Sequence, residues 1–324
     1  MRELFNIIVF PGFIFLALFG FAAEYFDRRM HARLQNRKGP PWFQPVADFI
    51  KLISKEDLIP SDANAGMFRM APIVALASTV TAFLYIPLWN GKALYSFNGD
   101  VIVVLYFLTI PTMAIFIGGW YSTSLFARLG SVRAITQLFA YEVPLFIGIL
   151  SAALLADSWS LAGIVRFYNS HPLLFICNIP GFVVSLVALL GKLERVPFDI
   201  PEAETEIVAG AFTEYSGRLL AFFRMTLAIE MVVGASLLAA VFLPTVAVPG
   251  ASGSAGTGLY PAAFIGFGVY LIEVFFIVAL ISLARTIFAR LRLDQMVVFC
   301  WKFLAPLGIA QLLLNLYLKG LLTR

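Results

Sequence analysis

The residues of this 324-residue chain that could do chemistry are carboxylates gathered in one segment, residues 194–217. The segment holds a single basic residue, Arg195, and six acids: Glu194, Asp199, Glu202, Glu204, Glu206 and Glu214. Glu202 and Glu206 are four residues apart, so in a helix their carboxylates would repel each other unless protons or cations intervened. We interpret this surplus of acid as a device for handling protons or as a docking surface.

Three of these six acidic residues have a simpler alternative explanation. The stretch Asp199–Glu204 gives an aspartate, then a proline, then two glutamates. This is the order expected of a helix start, with an N-cap, an early proline and negative charge at the positive end of the helix dipole. Capping explains these three acids and explains Glu194, Glu206 and Glu214 less readily.

The elements that must position these acids are strongly apolar. Hydrophobic residues make up 60% of the chain, charged residues make up 13%, and the mean hydropathy is +0.89. This composition indicates a polytopic membrane protein and excludes a soluble globular one. Since a helix needs about 20 residues to cross a bilayer, we predict an all-α protein, a single integral membrane domain of about eight transmembrane helices. The predicted spans lie near residues 4–26, 68–90, 100–123, 136–156, 173–193, 218–243, 260–284 and 297–319.

Charge placement predicts the orientation of these helices. Sixteen lysines and arginines fall in the loops after helices one, three, five and seven, and five fall on the opposite side. Basic loops stay cytoplasmic, so we predict that both termini lie outside and that loops 27–63 and 194–217 lie in the cytoplasm. The net charge of +4 needs no nucleic-acid partner, because it follows from this excess of basic residues beside the lipid bilayer.

The first cytoplasmic loop contains a helical pattern of its own. Val46, Phe49, Ile50 and Ile53 fall at i, i+3, i+4 and i+7. Residues Gln44–Ser54 are therefore predicted to form an amphipathic helix that lies in the membrane interface.

The same loop is rich in basic residues, and two interpretations of them stay open. One is that they attract anionic lipid head groups. The other is that they pair with the acidic segment on the same side of the membrane, or dock a partner there, which would close a polar pocket at the membrane surface. The candidate docking residues are Arg28, Arg29, Arg33, Arg37, Lys38, Asp48 and Lys51.

Carboxylates inside the predicted spans form a second group of candidates. Glu142 lies beside Pro144 in helix four, Glu230 in helix six, Glu273 in helix seven, and Glu24 near the inner end of helix one. Ionisable groups are costly within a membrane and are functional candidates for that reason. We predict that these carboxylates line a hydrated proton path, although Glu24 fits equally well as an acid that snorkels to the interface.

No metal site is expected in this chain. Its two cysteines and two histidines are isolated in the sequence, without paired cysteine or histidine spacing.

Several long motifs carry a family resemblance. They are Glu194-Arg-Val-Pro-Phe-Asp-Ile-Pro-Glu-Ala-Glu204, Thr213-Glu-Tyr-Ser-Gly217, Ala32-Arg-Leu-Gln-Asn-Arg-Lys-Gly-Pro40 and Ser131-Val-Arg-Ala-Ile-Thr-Gln137 with Tyr141-Glu142. Across essentially the whole chain, the sequence resembles the eight-helix membrane subunit that seats the peripheral arm in respiratory complex I. The resemblance implies a coupling subunit in a prokaryotic plasma membrane, with no cofactor of its own.

Two departures from the family pattern help to decide which branch of the family the sequence resembles. Only Pro41-Trp42-Phe43 separate Pro40 from Gln44, where quinone reductases of the family usually carry a longer insertion. Leu227 stands where those relatives often have a glutamate, with Glu230 one turn later. The shortened connection resembles the energy-converting membrane-bound nickel–iron hydrogenases, and Leu227 argues against carrying over the quinone contacts of the quinone reductases at helix six.

That branch implies partners which hold the cofactors. They would be peripheral subunits with iron–sulfur clusters and a nickel–iron site, antiporter-like membrane subunits, and reduced ferredoxin as the electron donor. This chain, which is not catalytic alone, would link hydrogen evolution to translocation of protons or sodium ions. The alternatives are the same subunit in a quinone reductase or a sulfur-reducing relative, or a purely structural anchor.

Overall fold

The computed structural model describes residues 2–88, 91, 93–243 and 259–322, and within these ranges not the side chains of residues 2, 3, 204, 205, 259–264 and 322. Helices are the regular secondary structure throughout these ranges, which confirms the predicted all-α class. In chain order they are α1 (Arg2–Ile8), α2 (Phe13–Leu34), α3 (Gln44–Ile53), α4 (Ala65–Leu84), α5 (Asp100–Tyr121), α6 (Leu125–Leu155), α7 (Leu161–Ser170), α8 (Leu174–Cys177), α9 (Ile179–Lys192), α10 (Glu204–Ile207), α11 (Gly217–Phe242), α12 (Leu259–Ile287), α13 (Leu293–Phe299) and α14 (Ala305–Leu322). A 3₁₀ turn at Gly210–Phe212 precedes α11, and a π-helical turn at Cys300–Leu304 joins α13 to α14.

Seven helical segments of the described residues are long and apolar enough to cross a membrane. They are Leu4–Leu34, Ala65–Leu84, Asp100–Tyr121, Leu125–Leu155, Gly217–Phe242, Ile265–Ile287 and Leu293–Leu321. They correspond to seven of the predicted spans, although residues 89 and 90 of the second predicted span lie outside the described residues. The chain is thus a polytopic membrane protein.

The predicted span at 173–193 is divided in two. It consists of the short α8 and the 14-residue α9, which meet at Asn178. Pro180 in the first turn of α9 favours a helix start there, since proline lacks the amide hydrogen that an inner position would need.

Buried amides satisfy the polar groups at this break. The Asn178 side-chain oxygen accepts hydrogen bonds from Gln311 at 3.2 Å and from Asn315 at 2.8 Å. The Asn178 nitrogen donates to the Tyr168 hydroxyl at 2.9 Å. Because unpaired polar groups are costly in an apolar interior, this network fastens α14 to the interrupted helix.

Helix α11 forms the centre of the bundle. Its apolar stretch is 94% buried, the largest buried share among the seven candidate spans of the described residues. A Cβ atom at Gly20 would lie 3.2 Å from the backbone nitrogen of Ile229, so a glycine there lets α2 approach α11 closely. This contact brings the charged end of α2 beside the first turns of α11.

The helix predicted at Gln44–Ser54 is confirmed, as α3. Its Phe49 packs against Phe21 of α2, with ring centroids 5.3 Å apart. Ile50 and Ile53 are 60% and 41% exposed. Its apolar face is therefore only partly covered by the chain, and its position in the membrane interface stays a prediction.

Candidate functional site

A cavity of about 410 Å³ lies where the C-terminal ends of α2 and α12 meet the first turns of α11, beneath the acidic segment. Its lining consists of five arginines, four acids and five apolar residues: Glu24, Arg28, Leu193, Glu194, Arg195, Val196, Asp199, Glu202, Ala203, Arg224, Leu227, Ala228, Arg285 and Arg290. Four acids that the sequence singled out thus meet in one place.

Glu194 is the acid of this cavity with the least access to solvent. It is 7% exposed, and neither carboxylate oxygen has a hydrogen-bond partner among the described residues. Burial, followed by the negative charges of Glu202 and Glu230, raises its pKa to about 8, against the opposing charges of Arg224 and Lys192. Glu194 is therefore mostly protonated at neutral pH, yet it titrates within a unit or so of it.

Behind the cavity, Lys192 and Glu230 form a fully buried ion pair. The Lys192 Nζ and Glu230 Oε1 atoms are 2.6 Å apart, and each side chain is 1% exposed. The ammonium also donates to the Leu108 carbonyl oxygen and lies 5.9 Å from the centre of the Tyr141 ring. These contacts compensate a charge that would otherwise be very costly so far from water.

Lys192 is the common neighbour of three glutamates. It pairs directly with Glu230, and its charge also acts on Glu194 and on the half-buried Glu142. A change in the charge of any one of these carboxylates therefore changes the electrostatic balance at the others. Lys192 lies at the edge of the predicted span 173–193 and was not singled out as a site residue, whereas the structure places it at the buried end of α9.

Asp27 is a site residue that sequence reasoning missed. It is 0% exposed and accepts a hydrogen bond from Ser282 at 2.7 Å. Its Oδ2 atom lies 2.9 Å from the Arg285 guanidinium and 3.8 Å from that of Arg195. Both arginines line the cavity, so Asp27 holds two of the positively charged side chains of the cavity in place. An aspartate inside the apolar segment Leu4–Leu34 was the signal that could have identified it.

In the described part of the structure, three ion pairs of 3.1 Å or less join acids of this segment to other elements. Arg224 of α11 lies 2.9 Å from Glu202, Arg133 of α6 lies 2.6 Å from Glu206, and Arg290 after α12 lies 3.1 Å from Asp199. The hydrogen bond from Arg133 lowers the pKa of Glu206. Cations thus intervene between the two glutamates that the sequence placed four residues apart.

The predicted N-cap role of Asp199 is wrong. Helix α10 begins only at Glu204, and its N-cap residue is Ala203, which has no side-chain cap. Asp199 lies five residues before that helix, and its carboxylate pairs with Arg290 instead. The side chain of Glu204 lies outside the described residues.

The first-loop arginines do not make the predicted ion pairs with the acidic segment in the described part of the chain. Arg28 binds Glu24 at 2.5 Å and Asp48 at 2.9 Å, because it lies one turn after Glu24 and faces α3. The two loops are joined instead by Ser216, whose hydroxyl accepts from the Leu58 amide at 3.0 Å, and Asp57 pairs with Arg218 in the first turn of α11 at 2.7 Å. The remaining basic candidates are exposed, and with the side chains that the structure describes they make no ion pair that joins the two loops: Arg29, Arg33, Arg37, Lys38 and Lys51.

Among the candidate acids that do not line the cavity are Glu142, Glu214 and Glu273. Glu142 still interacts with Lys192. The Oε2 atom of Glu273 is buried without a hydrogen-bond partner among the described residues. The structure therefore separates Glu273 and Glu214 from the cluster formed around Glu194.

Comparisons with known proteins agree with this architecture. A family described as NADH dehydrogenase matches residues 6–316. The H subunit of the NADH-quinone oxidoreductase of Dehalococcoides mccartyi is 33% identical over 317 residues, which cover 96% of this chain and 85% of the relative. The corresponding protein of Bacillus thuringiensis is 34% identical over 335 residues, covering 98% and 96%.

A solved structure shares the fold. A chain of the membrane-bound sulfane sulfur reductase, an archaeal respiratory membrane complex, superposes with a TM-score of 0.80. The match covers 93% of this chain and 96% of that one, at 23% identity.

The fold and the charged cavity define a multi-pass membrane subunit of a multisubunit respiratory oxidoreductase complex. The chain belongs to the NADH dehydrogenase family, as a membrane subunit of the H type of complex I and its relatives, which confirms the resemblance found in the sequence.

Proposed function

We propose that this chain is the coupling subunit of a membrane-bound complex that evolves hydrogen from reduced ferredoxin and translocates protons or sodium ions. The observation that carries the coupling role is the position of Glu194. It lines the charged cavity on one side, and on the other it interacts with the buried pair of Lys192 and Glu230.

The proposed coupling begins with a proton at Glu194. A redox partner docked over loops 27–63 and 194–217 changes the charge beside the cavity, and Glu194 releases its proton there. The new carboxylate attracts the Lys192 ammonium away from Glu230. Glu230 then needs a proton or a cation to balance its charge, and Glu142, which also interacts with Lys192, takes part in the next transfer.

The chemistry of the cavity supports the hydrogen-evolving branch over a quinone site. Nine of its 14 lining residues are charged. Small-molecule pockets are mostly apolar with a few placed polar groups, so this lining suits protons and ions better than a quinone ring. The short connection between Pro40 and Gln44 supports the same branch. In this proposal the iron–sulfur clusters and the nickel–iron site belong to peripheral partners, and antiporter-like subunits adjoin this chain in the membrane.

A second candidate is the same subunit in a quinone reductase. It is favoured by the names of the curated relatives, which are H subunits of NADH-quinone oxidoreductases, at 33–34% identity over nearly the whole chain. The coupling role of Glu194 is the same in both cases, and only the electron acceptor differs.

The native complex, purified through a tag on this chain, tests the reaction. Reduced ferredoxin is supplied, and hydrogen is measured by gas chromatography while quinone reduction is followed in a parallel assay. Hydrogen evolution, with nickel in the purified complex, supports the first candidate. Quinone reduction without hydrogen refutes that candidate and supports the second.

We also infer that both termini lie outside a prokaryotic plasma membrane and that the cavity opens to the cytoplasm, from the excess of basic residues on one side. Protease access to a C-terminal tag in intact spheroplasts tests this orientation. Cleavage without lysis is expected, whereas protection until lysis contradicts it.

A further inference from the structure

A second groove, separate from the charged cavity, lies on the outer face of α2. It has a volume of about 570 Å³ and is lined by Tyr25, Phe26, Arg29, Met30, Arg33 and Leu34. These residues recur every four positions, so they occupy one side of the helix. Glu24, Asp27 and Arg28 occupy the other side, where they contact the rest of the protein.

Two arginines dominate this groove. The Arg29 guanidinium lies 5.5 Å from the centre of the Tyr25 ring and donates a hydrogen bond to the tyrosine hydroxyl. Arg33 follows one turn later. Neither has a carboxylate partner among the ion pairs formed by the described residues. The groove therefore presents two uncompensated positive charges about one helical turn apart.

The segment that follows α2 packs against one of these two arginines, Arg29. A Cβ atom at Gly39 would lie 3.0 Å from the Arg29 Cα and 3.1 Å from its Cγ. The absence of a side chain at Gly39 thus allows the backbone to pack directly on the stem of Arg29, which limits where the guanidinium can go.

On the N-terminal side of the two arginines, the same face of α2 is apolar and exposed. Ile14 and Leu18 are 45% and 63% exposed, and Ala22 continues their line toward Tyr25. Ile14 and Arg29 are 15 residues apart, which corresponds to about 22 Å along a helix. One leaflet with its head groups measures roughly 20–22 Å, so this face matches a phospholipid in length as well as in polarity.

We propose that this face of α2 binds an anionic phospholipid. The phosphate oxygens accept hydrogen bonds from Arg29 and Arg33, whose forked guanidinium groups suit phosphate. The acyl chains lie along Ile14, Leu18 and Ala22, and Tyr25 sits at head-group level, where tyrosine is favoured. An acidic protein segment would match the two arginines but would leave the apolar line below them without a partner.

The intact complex in phosphatidylcholine nanodiscs, titrated with spin-labelled phosphatidylglycerol, tests this proposal. The immobilised fraction of the label reports binding. Each interfacial basic residue contributes about a fivefold gain in affinity for anionic lipid. The double variant Arg29→Gln/Arg33→Gln is therefore expected to bind about 30-fold more weakly. Arg128→Gln, at an exposed arginine of α6 away from the groove, is the matched control and should bind as the wild type does.

A variant that keeps both positive charges distinguishes the effect of charge from that of the forked guanidinium geometry. It also controls for a failure of the glutamine variant to assemble. Arg29→Lys/Arg33→Lys should assemble and lose only a few-fold in affinity, because lysine cannot bind phosphate through a fork. Unchanged affinity in the glutamine variant overturns the proposal. Loss of a protein subunit from that variant, with unchanged lipid binding, also overturns it and assigns the groove to a protein partner.

Discussion

Lys192 and Glu230 meet at 2.6 Å in the apolar interior, one from the end of α9 and the other from the middle of α11. Neither side chain reaches solvent, and the lysine is also the neighbour of Glu194 and Glu142. A buried ion pair is weak evidence for stability in itself, since desolvation offsets much of the attraction. Its position between a cavity acid and an intramembrane acid is what makes it a candidate for coupling.

The buried pair predicts a distinctive pattern of stabilities. Lys192→Met leaves the Glu230 carboxylate without its partner, so we expect a loss of about 3–5 kcal/mol in the free energy of unfolding. Lys192→Met/Glu230→Leu removes both charges at similar volume and should be close to the wild type in stability. Thermal unfolding of the purified complex, followed through a fluorophore on this chain, checks both. If Lys192→Met is as stable as the wild type, the buried ion pair between Lys192 and Glu230 is contradicted.

The raised pKa of Glu194 predicts how stability depends on pH. Its folded value of about 8 lies above the value of about 4.3 for glutamate in an unfolded chain. The folded state therefore holds the proton more tightly, and this contribution to stability is complete below pH 4.3 and is lost as the pH rises through 8. The midpoint of thermal unfolding should fall more steeply across this range in the wild type than in Glu194→Gln.

Infrared difference spectroscopy gives an independent test of the same group. The carboxylic-acid band of Glu194 should be present at pH 7, lose about half of its intensity near pH 8 and fade as the pH rises further. It should be absent from Glu194→Gln. A wild-type spectrum without that band at pH 7 would show that Glu194 is ionised and would contradict the assignment.

Asp27 predicts an energetic coupling across the cavity wall. Asp27→Asn leaves Arg285 and Arg195 without their shared counter-charge, so we expect a loss of about 3–5 kcal/mol. In a double-mutant cycle with Arg285→Gln, the double variant should lose less than the sum of the single losses. Additive losses would mean that the two side chains act independently.

The acidic segment should loosen when its cations are removed. Arg133→Gln removes the shorter of the two ion pairs of Glu206 and leaves the one with Arg290 at 3.9 Å. We expect faster amide hydrogen exchange in residues 202–208, with a stability loss of only about 0.2–1 kcal/mol, as for exposed pairs. Arg128→Gln, on the same helix, is the control and should leave exchange unchanged. Equal exchange in both variants would show that Arg133 does not hold the segment.

Much of the fold followed from the sequence because its signals are local. Hydrophobic runs predicted the all-helical membrane bundle, and the spacing of Val46, Phe49, Ile50 and Ile53 predicted α3 almost to the residue. The division of the fifth span at Asn178 was not foreseen, because the amides that satisfy this break come from α14, more than 130 residues later.

The site was less predictable, because its contacts join distant parts of the chain. The acids themselves were found, but their cations come from α6, α11 and the end of α12, and not from the first loop. Asp27 and Arg285 are 258 residues apart. The position of Lys192 at the edge of an apolar run fits both a loop residue and a buried partner of Glu230, and only the three-dimensional arrangement distinguishes them.

The most direct test of the coupling role is ion uptake per electron in proteoliposomes that contain the intact complex. Electron transfer and ion uptake are measured together in the wild type, in Glu194→Gln and in Glu214→Gln, whose side chain is not among those that line the cavity. We predict that Glu194→Gln keeps electron transfer while ion uptake per electron falls at least about tenfold, and that Glu214→Gln retains the wild-type ratio. An unchanged ratio in Glu194→Gln would contradict the proposed coupling through Glu194.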